Sequence, residues 1–521
     1  MALETGSFEY ATGVLDNWFR YYLRVEDNQN GLTYTAINYR GPEMPHHGRQ
    51  LTLFALYHSY TGDPSGLLLK HYAKIQGIVN LLRHLRARSL QRNHTDPAYG
   101  MPAGNDEADL FQDCIECGTT FGDTPGDCVT ELPYISIAAE MIRGFMELGE
   151  VLQLVGADAQ RPDVTAEGAA MVSEARELRR DFEQRMAASK LVDANGTTCQ
   201  PQRRLDLCSR PLDKAQQIPA IIVRTGRPHV FGWDCAIAGA NYEPKPVAEP
   251  GYIFPTYDVF AQGRTWPEAF DSGVLPADAV ADIKDFAAGQ WGMLTLPEHG
   301  ELCPFNSHGW LWAAPARLRQ RVPDLLLWHG LVSRHMITEI WASIFYDSSN
   351  DCAGRHAYSR GTWTAAECMS LDSSQSATGY ATPSQTIVPI MLKYLMVFED
   401  PLTKTLWLGK ALPRVWLARG LTAGVKAAPT RYGRVAFAIT ADAADETKLT
   451  ASLTLANASR WPPGGVRLRV RAPAFATGKT IASVTVGGQS WPHFNASAET
   501  VDFATAPQDL AALGHIVVRL G

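Results

Sequence analysis

At 521 residues the chain is longer than one hydrophobic core usually grows, so two domains are expected, or one large ring of helices with a small partner. A formal charge of -7, with no basic arm or stripe, argues against binding to nucleic-acid phosphates. The balance of 45% hydrophobic and 19% charged residues is ordinary for a globular protein, and no apolar run reaches the roughly 18 residues of a membrane span, so neither a nucleic-acid nor a membrane partner is expected.

The start, Met1-Ala2-Leu3-Glu4, lacks the pattern of a secretory leader. Nine cysteines, among them Cys114, Cys117, Cys128, Cys199 and Cys208, suit disulfides, and sequons stand at Asn93, Asn195, Asn457 and Asn495. These opposed signals leave the compartment open.

In chain order, Tyr10, Val14, Leu15, Trp18, Tyr21 and Tyr22 recur at helical spacing, as do Leu51, Leu53, Phe54, Leu56 and Tyr57 behind Pro45-His46-His47-Gly48-Arg49. Further helices are predicted over Leu67–Leu90, Ser136–Val155, Val164–Met186, Ala277–Trp291, Pro323–Phe345 and Ser384–Phe398. Asp63-Pro64-Ser65 and Leu275-Pro276-Ala277-Asp278 read as helix starts. Between Leu191 and Glu268 the Gly, Pro and Cys content predicts long loops with a few short strands.

After about Leu406 the pattern switches to two-residue alternation. Val435/Phe437/Ile439, Leu453/Leu455 and Val466/Leu468/Val470 mark half-buried strands, with the arginines of Val466–Arg471 facing solvent. Ala482–Val486 before Gly487-Gly488, Thr500–Phe503 and His515–Leu520 extend the set to about seven or eight antiparallel strands, the length of a β-sandwich.

Two segments carry chemistry. Asp106, Glu107 and Asp109 place three carboxylates in four positions after a Pro-Ala-Gly turn. Convergence of two of them would raise a pKa, as a general acid requires, although the same run also suits a helix N-terminus. The stretch from Gly354 to Glu367 gathers Arg355, His356, Tyr358, Arg360, Trp363 and Glu367, an inventory for hydroxyls, ring faces and acid groups of sugars that also fits a surface loop with an ion pair. Glu367 follows Trp363 by four residues, so the two share a face if a helix begins near Thr362. Glu131 is the reserve carboxylate, and His46, His47, Arg49 and His308 are candidates for binding hydroxyls or a uronate. No His/Asp spacing completes a metal site around His46-His47, and Cys114, Cys117 and Cys128 lack a convincing fourth ligand, so no metal or cofactor is expected.

Helices in hairpins followed by strands, an acidic cluster after Asp96-Pro97-Ala98-Tyr99-Gly100-Met101 and a late aromatic-acid segment resemble the six-hairpin glycosidases. Asp96–Phe111 is similar to the segment that delivers an acid to the mouth of their helical ring, and Pro383–Trp416, with Leu406-Trp407-Leu408-Gly409-Lys410, to the passage from the last helix into the sandwich. The resemblance implies an (α/α)6 toroid over residues 1–403, a C-terminal antiparallel β-sandwich over 404–521, and a glycoside hydrolase acting on an oligo- or polysaccharide with Asp106, Glu107 and Glu367 as catalytic carboxylates. A separation of about 6.5–9.5 Å would invert configuration and one of about 5–5.5 Å would retain it. Polysaccharide lyases share the architecture, with Tyr358 or His356 as base and Arg355 or Arg360 on the uronate carboxylate. A glycan-binding protein without catalysis is the third reading.

Overall fold

The structure, a computed structural model, describes residues 2–27, 33–37, 44–95, 99–102, 135–188, 191–192, 198–199, 273–274, 393–401, 403–410, 412–455, 461–476, 478–507 and 513–521. It is an α plus β protein whose described residues fall into two compact units, residues 12–274 in one and residues 2–11 with 393–521 in the other.

In the first unit α1 (Ala2–Thr5) lies outside, and the helices are the latter part of α2 (Phe8–Asn17), α3 (Met44–Thr61), α4 (Leu67–Lys70), α5 (Tyr72–Ser89), α6 (Ile135–Asp158) and α7 (Pro162–Ala188). The last two match the helices predicted from periodicity. Ile137, Met141, Ile142, Phe145, Leu148, Leu152 and Val155 of α6 are buried, as are Val164, Met171, Ala175, Leu178, Phe182 and Met186 of α7. Gln160 takes a left-handed turn at φ 55° and Pro162 opens α7, where a missing N–H costs nothing.

Glycines decide how closely these helices approach. A Cβ on Gly168 would stand 2.5 Å from the Gly149 carbonyl oxygen, and one on Gly48 would stand 2.5 Å from the Glu140 carbonyl carbon. α6 therefore touches α7 and α3 backbone to backbone. On another face of α7, Glu167, Glu174 and Asp181 repeat every seven residues and meet α5: Arg83 bonds Glu167 at 2.7 Å and Glu174 at 2.7 Å, and Arg86 bonds Asp181 at 2.9 Å.

Two predicted helices are interrupted. The one through Tyr22 widens into a π-helix over Trp18–Tyr22 and leaves as β1 (Leu23–Asp27), which pairs with β2 (Thr33–Ile37). The Lys74 ammonium binds the carbonyl oxygens of Phe19 and Leu23, and Phe19 is held between Phe54 and His71 with ring centroids 4.6 and 4.5 Å away. The Leu67–Leu90 helix breaks at His71, whose imidazole bonds Asp16 at 2.9 Å. Asp63 caps the start, as predicted, accepting from the Leu67 and Leu68 amides at 2.8 and 3.0 Å. Two short strands, β3 (Leu191–Val192) and β4 (Thr198–Cys199), pair in the region read as loops with a few short strands. The predicted helices Ala277–Trp291 and Pro323–Phe345, and every cysteine except Cys199, lie outside the described residues.

The second unit contains two sheets. The six-stranded one runs β12 (Gln489–Ser490), β11 (Ile481–Val486), β15 (Ile516–Leu520), β9 (Lys448–Leu455), β8 (Gly433–Ala441), β7 (Thr422–Thr430), with every pairing antiparallel. The five-stranded one runs β13 (Phe494–Asn495), β14 (Thr500–Phe503), β10 (Val466–Arg469), β6 (Leu406–Leu408), β5 (Val397–Glu399). Strands were read correctly at β8, β9, β10, β11, β14 and β15, where alternate residues such as Val435, Phe437 and Ile439 are buried. Two points differ. Helix ends at residue 396, and Val397–Glu399 is a strand, because it pairs with Leu406–Leu408. And β6 lies parallel to β10, because the chain between them passes through β7, β8 and β9 of the other sheet before returning.

The arginines of Val466–Arg471 do not all face solvent. Arg467 does, but Arg471 is buried and donates to the Leu412 carbonyl at 3.0 Å. Strand pairing ends at Arg469, and buried Glu499, in a left-handed conformation at φ 57°, presents its carboxylate there. Arg414 grips Glu499 with two 2.7 Å bonds, and the Ala472 amide adds a third at 2.9 Å. Glu499→Gln is expected to lower this unit's unfolding free energy by roughly 2 kcal/mol, since it leaves half-buried Arg414 and buried Arg471 without their counter-charge. Denaturant unfolding with an unchanged slope checks it.

Candidate functional site

Three of the residues singled out in the sequence are described: His46, His47 and Arg49, all in the first turns of α3. The histidines diverge as neighbours on a helix must, with His47 fully buried and His46 half-buried. Arg49 turns toward α6, where its Nε and Nη2 both donate to Oε1 of buried Glu140 at 3.2 and 2.9 Å. The contact is close because Gly48 lets the two backbones touch. Arg49 therefore joins two helices. Asp106, Glu107, Asp109, Glu131, His308, Arg355, His356, Tyr358, Arg360, Trp363 and Glu367 lie outside the described residues.

A pairing of Asp16 with His71 has the residue types of an acid-base dyad. Its carboxylate is saturated, however: Lys70 and His71 donate to Oδ1 at 2.8 and 2.9 Å, and Arg20 meets Oδ2 at 2.6 Å. The Lys70 bond first, then His71, hold Asp16 well below the usual carboxylate range. With the imidazole stacked on Phe19, this network pins the helix break. Among the described residues no three His, Cys, Asp or Glu side chains gather as a metal site, and no helix is long and apolar enough to cross a membrane.

The most unusual described constellation is on the five-stranded sheet. Pairing sets Phe398, Trp407, Arg467 and Asp502 on one rung across four strands. Leu406, Leu408, Val466 and Leu468 are the buried alternates, so the rung residues occupy the opposite face. Gly409 then turns the chain at φ 64°, and a Cβ there would lie 3.5 and 3.7 Å from side-chain atoms of Ile439 and Phe437 on the other sheet. That turn brings Lys410 back over the rung. Its Nζ lies 4.4 Å from the Phe398 ring centroid and 4.5 Å from that of Trp407, and Arg467 Cζ is 5.2 Å from the latter. Arg469 Nη1 donates to the Lys410 carbonyl at 3.0 Å.

Lys410 is only 3% exposed. Burial pushes its amine down to about 7; Asp400 opposes this, whereas Arg469 and Arg467 reinforce it. Its described neighbours are aromatic faces, and no described carboxylate hydrogen-bonds its ammonium. Trp407 Nε1 and Arg469 Nε are likewise buried donors that meet no acceptor among the described residues. At the far end of the rung Asp502 Oδ1 is a buried acceptor that likewise lacks a hydrogen-bond partner among the described residues, 3.5 Å from Arg467 Nε.

The sequence marked Lys410 only as the end of the passage Leu406–Lys410 and gave it no role. The available signal was Trp407-Leu408-Gly409-Lys410 beside the alternating arginines 467 and 469, but without the strand order the two segments cannot be placed side by side. No protein-family model matches the chain, and neither a curated protein nor a solved structure does.

Proposed function

We propose that the chain is a carbohydrate-active enzyme, a glycoside hydrolase whose helical part is an (α/α)6 toroid and whose strand part is a β-sandwich. The observation that carries the reading is the order of parts: tightly packed helices, including the antiparallel hairpin of α6 and α7, precede a unit of two sheets with alternating buried residues. The Gly409 contact with Ile439 and Phe437 supports face-to-face sheets. In this reading Asp106 or Glu107 protonates the leaving oxygen and Glu367 activates water or attacks the sugar.

Assay of the full chain and of Asp106→Asn, Glu107→Gln and Glu367→Gln on a panel of glycans, with product analysis, tests it. Loss of turnover by about 10²-fold or more at Glu367 and at one of the first pair is expected. Unchanged turnover in the variants rejects the assignments. Products with an unsaturated bond absorbing in the ultraviolet assign a lyase instead, and binding without product assigns a lectin-like protein.

A further inference from the structure

We propose that the niche formed by Trp407, Lys410 and Arg469 on the five-stranded sheet is a binding site for an oxyanion, a carboxylate or sulfate group. The observations are independent of the catalytic carboxylates and stand whether or not the chain hydrolyses glycans. Trp407 Nε1 and Arg469 Nε are buried donors that meet no acceptor among the described residues, and Lys410 Nζ lies over the Trp407 ring without a hydrogen bond to a described residue; the three belong to adjacent positions of β6, its exit and β10. Buried donors that go unsatisfied are costly, and a group of them on one face of a sheet calls for an explanation, of which a bound ion is one. Their joint demand is for an acceptor with several lone pairs: Asp400 is the acidic group that acts on Lys410, Asp502 lies 3.5 Å from Arg467 and Glu499 acts on Arg469, but no described carboxylate hydrogen-bonds Trp407 Nε1, Lys410 Nζ or Arg469 Nε. The rings of Phe398 and Trp407 exclude water from one side of the ammonium, which strengthens any ion pair formed there.

An anion in the niche favours the charged ammonium, so binding takes up a proton. The burial that lowers the Lys410 pKa to about 7 makes this visible near neutrality.

Calorimetric titration of the full chain at about pH 7.5, in two buffers of different ionisation enthalpy, tests the site with sulfate, acetate, glucuronate and neutral glucose. Expected are binding of the anions and not of glucose, uptake of up to about one proton per anion, and weakening by about tenfold or more in Lys410→Met. Lys410→Arg keeps binding and loses the proton uptake, since a guanidinium does not titrate in this range. Glucuronate binding more tightly than acetate assigns a sugar-borne carboxylate; equal affinities assign a free anion. Absence of anion binding, or binding and proton uptake unaltered in Lys410→Arg, overturns the proposal. Glycan digestion can fail while the anion still binds, so this result is separable from the hydrolase reading.

Discussion

Lys410→Met raises the stability of the strand unit at neutral pH and abolishes a rise that the parent protein shows between about pH 7 and 10. The sign follows from proton counts. The folded amine titrates at about 7 and the unfolded one at its ordinary value of 10.5, so between these the unfolded chain binds more protons and stability climbs with pH. Below pH 7 both states are protonated and the full penalty remains. Its size is on the order of 3–5 kcal/mol, since each tenfold loss of proton affinity is worth about 1.4 kcal/mol and the side chain is almost wholly buried. Met has similar length and no charge, so it keeps the packing against Phe398 and Trp407 and removes the penalty. In the helical unit Lys74, whose pKa burial also lowers, contributes with the same sign to that unit's stability, and the Tyr72 phenol, raised by burial to about 12, opposes only above about pH 10. The difference between parent and variant isolates Lys410. Parallel pH curves for the two proteins would show that the amine is charged and adequately solvated in the fold.

Gly48→Ala is expected to destabilise the helical unit by about 3 kcal/mol or more, against the direction of helix propensity. Alanine favours a helix over glycine by about 1 kcal/mol, and at Gly13, where a Cβ meets nothing within 4 Å, that gain should be realised. At Gly48 the new methyl stands 2.5 to 2.6 Å from three backbone atoms of Glu140 and Met141, which cannot rotate away. α3 must move from α6, at an overpacking cost of about 1–3 kcal/mol, and the bonds from Arg49 to buried Glu140 stretch, at a cost of up to about 3–5 kcal/mol. Thermal unfolding of the two variants in parallel gives shifts of opposite sign if this is right; a gain at both positions would refute the backbone contact.

How much of this was legible in the sequence depends on the range of the interaction. α6 and α7 were legible because a row of Ile, Leu, Met and Phe at spacings of three and four requires a buried stripe, and β8 was legible because Val435, Phe437 and Ile439 alternate. The π-helix at Trp18–Tyr22 was not, because it depends on an ammonium some fifty residues later, at Lys74, taking two carbonyls from the backbone. Nor was the burial of Arg471: its place in the alternation of Val466–Arg471 matches that of exposed Arg467, and only the arrival of Glu499 beyond the end of β10 separates them. For the candidate sites, His46, His47 and Arg49 were placed at a helix start as read, but the partner of Arg49 is Glu140, 91 residues away.

Among the described residues the sequence by itself determined the helices α6 and α7 and the strands β8, β9, β10, β11, β14 and β15 and their order along the chain, since hydrophobic period, proline and turn residues act within a few positions of themselves. Only the tertiary structure decided that β6 runs parallel to β10, that Gly48 meets Glu140 and that Lys410 sits between two rings beside two guanidiniums. The reason is physical: apolar patterning states that a face must be covered and is silent on what covers it, whereas close approach, charge and desolvation exist only between partners already brought together.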